Sequence, residues 1–166
     1  MKLCRYGKSG FEKPGMIDAQ GNIRELSAVV DQIDQGTISP SGLAKLRKIK
    51  AETLPLVKGE PRLGVPYVGI SKFIAIGLNF ADHAREANMA IPPEPIVFMK
   101  ATTSITGPND KVIVPRNSTK LDWEVELGVV ICKKAQYVPE DKALDYVAGY
   151  CVVNDVSERA FQLQSS

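Results

Sequence analysis

The sequence has little of what soft-metal, disulfide and membrane proteins need. Among its 166 residues there is one histidine, His83, and one tryptophan, Trp123. Its three cysteines, Cys4, Cys132 and Cys151, are odd in number, far apart and without a CxxC pair. That excludes a zinc-finger spacing and an even disulfide framework. Reduced thiols acting as small apolar core residues of a cytoplasmic protein are expected instead. No apolar run approaches the ~20 residues of a membrane-spanning helix. The opening "MKLCRYGKSG" lacks the apolar middle of a signal peptide. With 21 basic against 19 acidic residues, the net charge of +2 offers no electrostatic footprint for nucleic acid. What the chain does have is core-forming material, at 44% hydrophobic residues, enough for one domain or a domain with a small appendage.

Residues 1–66 read as a small N-terminal α/β unit ending in a linker. "KLCRY", "GMI" and "NIREL" suggest short strands separated by glycine and proline turns. Ser27 is placed to cap a helix over "AVVDQID". A second Ser-led helix follows in "SGLAKLRKIK", with Leu43, Leu46 and Ile49 at helical spacing. The stretch "LPLVKGEPRLGVP" (54–66) holds three prolines and two glycines, as a linker or a chain draped over a surface would.

Residues 67–166 are strand-dominated. "FIAIGL" reads as a buried strand, and Asn79 is placed to cap a short helix over "ADHAREA". "PIVFMK", "VIVP", "WEVELGVVIC" and "AGYCVVNDV" read as further strands, "DKALDYV" and "SERAFQ" as short helices. The acidic strand is the informative one. Glu124 and Glu126 stand two apart, so in a strand they share a face with Cα atoms roughly 6.5–7 Å apart. Two carboxylates at that spacing can converge on one cation. The commoner outcome of such alternation is a solvated face, with Trp123, Val125, Leu127 and Val129 buried opposite. Asp155 ends an apolar strand, where an aspartate usually caps the next helix but can face a pocket. Three carboxylates with no nearby soft donor would select Mg²⁺ or Mn²⁺. His83 and Glu86 form an i, i+3 pair on one side of a helix, so the carboxylate could fix the tautomer of an imidazole base. An exposed helix with an incidental pair is the simpler alternative.

In combination these segments resemble a known family. "GLNFADHAREA", "PIVFMKATTSITGPND", "DWEVELGVVI" and "GYCVVNDVSERAFQ" are similar in order and spacing to the fumarylacetoacetate hydrolase family, from about Phe73 to Gln162. The opening "MKLCRYG…EKPGMID" resembles the small N-terminal domain of its bacterial branch. The resemblance implies an α+β, strand-rich fold: a mixed β-roll, incomplete at the C-terminus, with a small N-terminal unit. It implies that Glu124, Glu126 and Asp155 bind Mg²⁺ or Mn²⁺, that His83 with Glu86 activates water, and that Arg159 and Gln162 contact substrate. Asp122 receives no ligand role. The implied activity is hydrolytic cleavage of a C–C bond in a small 2,4-dioxo acid. The alternatives are a ureidoglycolate-type lyase, a decarboxylase or a hydroxymuconate-type isomerase, all sharing an enolate. The implied partners are a small oxo-acid substrate and, in the complete form, a second copy in a homodimer, with neither nucleic acid nor membrane.

Family members continue past the equivalent of Gln162, whereas this sequence ends "FQLQSS". The resemblance thus places a catalytic lysine, a substrate-binding threonine region and partner strands outside it. A fragment, a truncated product and a chain completed by another polypeptide are all consistent with that. An inactive remnant or interaction protein is the non-enzymatic alternative.

Overall fold

The computed structural model describes residues 1–162. The chain opens with three antiparallel strands, β1 (Lys2–Tyr6), β2 (Lys13–Ile17) and β3 (Ile23–Glu25), in the order β1-β2-β3. The β2–β3 turn is set by Asp18. Its Oδ1 accepts from the backbone N–H groups of Gln20 (3.0 Å) and Asn22 (2.8 Å), and Oδ2 from Arg24 Nε (2.7 Å). Gly21 supplies the positive φ of 87° that closes the turn. Burial pushes the Asp18 carboxyl up, but these donors outweigh it and bring it down to about 2.

One helix, α1 (Pro40–Leu46), follows. Ser39 caps it, its Oγ accepting from Gly42 N at 3.1 Å, and Pro40 occupies the first turn, where its missing N–H costs nothing. The helix expected after Ser27 does not form; residues 27–29 make a turn. Asp34 Oδ1 accepts from the Thr37 N–H (2.9 Å) and Thr37 Oγ1 donates to the Gln32 carbonyl (2.7 Å), local bonds that compete with a helical ladder. Met16, Leu26 and Leu46 form the core cluster, with Leu3, Val30, Ile49, Ala51 and Leu54 packed against it. The stretch 54–66 is draped, not free. Glu25 N donates to Pro55 O, Val57 N to Ile23 O, Gly7 N to Arg62 O and Gly64 N to Arg5 O, extending the small sheet at both edges.

The second part consists of two-stranded ribbons. β4 (Phe73–Gly77) leads through α2 (Ala81–Glu86) to β5 (Ile96–Lys100), which pairs back on β4 antiparallel. After a long connection come β6 (Leu121–Asp122), β7 (Val125–Ile131), β8 (Val147–Asn154), β9 (Ser157–Glu158) and α3 (Arg159–Gln162). β7 pairs with β8, and β6 with β9, both antiparallel. "VIVP" forms no strand: residues 112–115 have no ladder, and Ile113 is 89% exposed. Phe80 stands at the start of α2 without a side-chain cap, so Asn79 does not cap it. "DKALDYV" becomes a 3₁₀ turn over Glu140–Tyr146.

Burial departs most from the sequence expectation in these ribbons. Trp123, Val125, Leu127 and Val129, expected inside, are 70%, 66%, 63% and 48% exposed. β4, expected buried, exposes Ile74 and Ile76. Beyond residue 46 the buried hydrophobics among the described residues are Ala84 and Cys132. The ribbons thus carry apolar faces that nothing among the described residues covers. No helix among those residues is long and apolar enough to cross a membrane.

Candidate functional site

The candidate acids lie at and beside the paired strands β7 and β8, with Lys100 at the end of β5 reaching Asp155. Glu126 lies within β7, opposite Val153 of β8. Glu124 lies just outside β7, in the two-residue break after β6, so simple alternation does not set its direction. Its backbone is held instead by β8. Asp155 N donates to the Glu124 carbonyl at 2.9 Å, and Glu124 N donates to Asn154 Oδ1 at 3.2 Å. Glu124 and Asp155 are therefore backbone neighbours across the ribbon. Glu124, Glu126 and Asp155 are all half-buried, so the acidic face of this ribbon is the less exposed one.

The three carboxylates have different surroundings. Glu124 Oε1 accepts from Ser157 Oγ at 2.8 Å and pairs with Arg159 at 3.0 Å. Asp155 Oδ1 pairs with the Lys100 ammonium. Glu126 has no hydrogen bond or ion pair among the described residues. Burial pushes its carboxyl above the usual range, the charges of Glu124 and Asp155 push the same way, and His83 opposes them. His83 and Glu86 are both exposed, and no hydrogen bond joins them in this arrangement.

Arg159, at the start of α3, is a fixed cation. Its Nε donates to Asp122 Oδ2 (3.0 Å), one terminal nitrogen to Gln162 Oε1 (3.0 Å), and the other meets Glu124. Arg159 and Gln162, the candidate substrate contacts, are thereby joined to each other and to the acids. Asp122 anchors the arginine. Glu158 anchors the backbone beneath: it accepts from Lys120 N (2.6 Å), Thr119 N (3.0 Å), Ser118 Oγ (3.1 Å) and Phe161 N (2.8 Å). Burial raises its pKa, but these donors prevail and take it to about 2. Glu158, not Asp155, thus satisfies the first turn of α3.

The donor chemistry fits a hard divalent ion: three carboxylates, no thiolate, and negative charge crowded around Glu126. Among the described residues no three His, Cys, Asp or Glu side chains are gathered tightly enough to hold one. Two of the three acids are instead turned toward protein cations. Lys100 is the residue sequence reasoning missed. Its position at the end of β5 is legible, but its reach to Asp155 depends on how the β4–β5 and β7–β8 ribbons pack. Two surface hollows, of about 450 and 320 Å³, include none of the candidate site residues.

Known proteins share sequence and fold with this chain. A protein of Burkholderia cenocepacia (strain HI2424) described as a "putative hydrolase" is 60% identical over 164 residues, covering 99% of this chain and 58% of its own length. The fumarylacetoacetate hydrolase of psychrophilic Exiguobacterium antarcticum superposes with a TM-score of 0.76 at 28% identity, over 98% of this chain and 58% of that one. The 5-carboxymethyl-2-hydroxymuconate delta-isomerase of Mycobacterium smegmatis superposes with a TM-score of 0.68 at 26% identity, over 99% and 58%. The chain therefore spans a little under three fifths of the length of the relatives it matches, and its strand-rich fold is theirs over that span. The profile "Fumarylacetoacetate (FAA) hydrolase C-terminal" matches residues 72–166. That match spans more than half of the sequence and includes every acid and cation of the candidate site, so the chain belongs to the fumarylacetoacetate hydrolase family.

Proposed function

We propose that this chain carries the metal-binding half of a hydrolase that cleaves a C–C bond in a small 2,4-dioxo acid. In this reading residues 1–66 form an accessory unit and residues 67–166 the first part of the catalytic domain. The observation that supports it best is the crowding of Glu126 by Glu124 and Asp155, an unfavourable arrangement that a divalent cation would relieve. Glu124, Glu126 and Asp155 would hold Mg²⁺ or Mn²⁺, whose contribution when bound is Lewis-acid polarisation of the substrate's oxo group. His83 would take a proton from water at an imidazole nitrogen, with Glu86 on the same side of α2 to orient the ring. Arg159, fixed by Asp122 and Gln162, would pair with the substrate carboxylate. A homodimer in the cytoplasm is part of the same proposal.

A second reading, isomerisation of a hydroxymuconate-type acid, is favoured by the likeness to the Mycobacterium smegmatis isomerase. Proton transfer by His83 without attack by water would serve it. The test begins with calorimetry of Mn²⁺ on the chain and on Glu126→Ala. Binding that collapses in the variant is expected, and unchanged affinity would refute the ligand assignment. A panel of acylpyruvates and hydroxymuconates, offered to the chain completed with a relative's C-terminal segment, then separates the two reactions. His83→Ala should lower hydrolysis by 10²-fold or more with metal affinity intact.

A further inference from the structure

We infer that Lys100 is the resident counter-ion of the acidic cluster, holding Asp155 in the metal-free protein and released from it when a divalent ion binds. This rests on the metal-binding reading above. It concerns a residue to which the sequence motifs assigned no part.

The argument starts from the distribution of cations. Three half-buried carboxylates lie at and beside the paired strands β7 and β8. Arg159 neutralises Glu124 and Lys100 neutralises Asp155, while Glu126 has no ion-pair partner among the described residues. The two cations are anchored very differently. Arg159 bonds to Asp122, Glu124 and Gln162, and its guanidinium is planar and rigid. Among the described residues Lys100 has one ion-pair partner, Asp155, at the end of a flexible four-carbon stem. Its backbone is fixed by the β4–β5 ladder, opposite Phe73, so only the side chain is able to move.

An ammonium held by Asp155 occupies a carboxylate that a divalent ion at this site would also need. Both side chains of the pair are mostly shielded, at 24% and 14% exposed, so the pair is screened less than a surface one. Ammonium and divalent ion therefore compete for one carboxylate. Lys100 keeps the cluster tolerable without metal, at the expense of affinity for it.

The experiment compares Mn²⁺ affinity by calorimetry in the parent chain, Lys100→Met and Lys100→Gln, at low salt and at 0.5 M KCl. Competition predicts that both variants bind Mn²⁺ about tenfold more tightly. The gain should survive high salt, whereas a diffuse field effect would be screened away. A second measurement needs no variant: acetylation of Lys100 in the parent chain at one fixed pH, followed by mass spectrometry with and without saturating Mn²⁺. Release predicts faster modification of Lys100 in the presence of the ion. Equal or weaker Mn²⁺ binding in the variants, a gain lost at high salt, or unchanged or slower modification of Lys100 would each overturn the inference while leaving the metal site standing. Absence of Mn²⁺ binding in parent and variants alike would overturn the metal reading itself.

Discussion

Glu12 offers the sharpest test of how the N-terminal unit is held. Its side chain is 8% exposed and lies between two arginines. Oε1 accepts from Arg62 at 2.8 Å; Oε2 accepts from Arg5 at 3.2 Å and from the Gly10 N–H at 3.1 Å. Arg62 continues to Asp110 through two bonds of 2.5–2.6 Å. The glutamate is thus the inner anion of a chain that ties β1, the draped segment and the Gly107–Asp110 turn together. Glu12→Gln keeps the shape but puts an NH₂ where a carboxylate oxygen accepted, so an amide donor faces a guanidinium or the Gly10 N–H. Arg5, whose side chain is 9% exposed, then loses its anionic partner. Breaking a buried pair from one side costs about 3–5 kcal/mol. Asp110→Asn, on the more exposed side of the same network, should cost less, about 1–2 kcal/mol. The assay is urea unfolding followed by far-UV circular dichroism. The hydrogen bond to Arg62 holds the Glu12 carboxyl below its usual range, burial opposing. Its stabilisation is therefore complete above the ordinary value of about 4.3 and is lost as pH falls through the lowered one. Glu12→Gln should accordingly flatten the acid limb of stability below about pH 4.3. A variant within 0.5 kcal/mol of the parent at pH 7, about the scatter of an ordinary surface change, would show that the network contributes packing and no electrostatic hold.

Three further outcomes are expected. Without metal, Glu126→Gln should raise the melting temperature at pH 7 and leave it unchanged near pH 4. Burial has raised the carboxyl's pKa, so the cost of its charge is absent below the ordinary value and appears as pH rises through the raised one; a lower melting temperature at pH 7 would contradict this. Gly42→Ala should destabilise by about 2 kcal/mol in urea melts, because a Cβ there would run into the Thr37 and Gly36 carbonyls, backbone atoms that yield only at a cost. The chain should associate as its concentration rises in light scattering. Val152→Lys, at an 81% exposed position opposite Leu127, should reduce that association with little change in stability; a parent that stays monomeric as its concentration rises would refute the exposed-face argument.

The sequence by itself determined the local structure wherever a strong turn or cap enforced it. β1 runs over the "KLCRY" segment read from the sequence, Asp18 and Gly21 make its second turn, and Ser39 with Pro40 starts α1. The order of the acidic strand and the "NDVSER" segment was enough to place the chain in its family. The tertiary structure decided what faces what. Alternation in β7 says that its two faces differ, not which one is covered, and the acidic face proved the more sheltered. Lys100 and Arg159 come from other parts of the chain and close over the carboxylates, while the apolar face has no neighbour among the described residues. The same holds for 54–66: its prolines and glycines forbid a helix, but only the bonds to Tyr6, Gly7 and Arg24 and their neighbours make it an edge of the small sheet. Ion pairing and sheet edges depend on which segments meet, and no local pattern encodes that meeting.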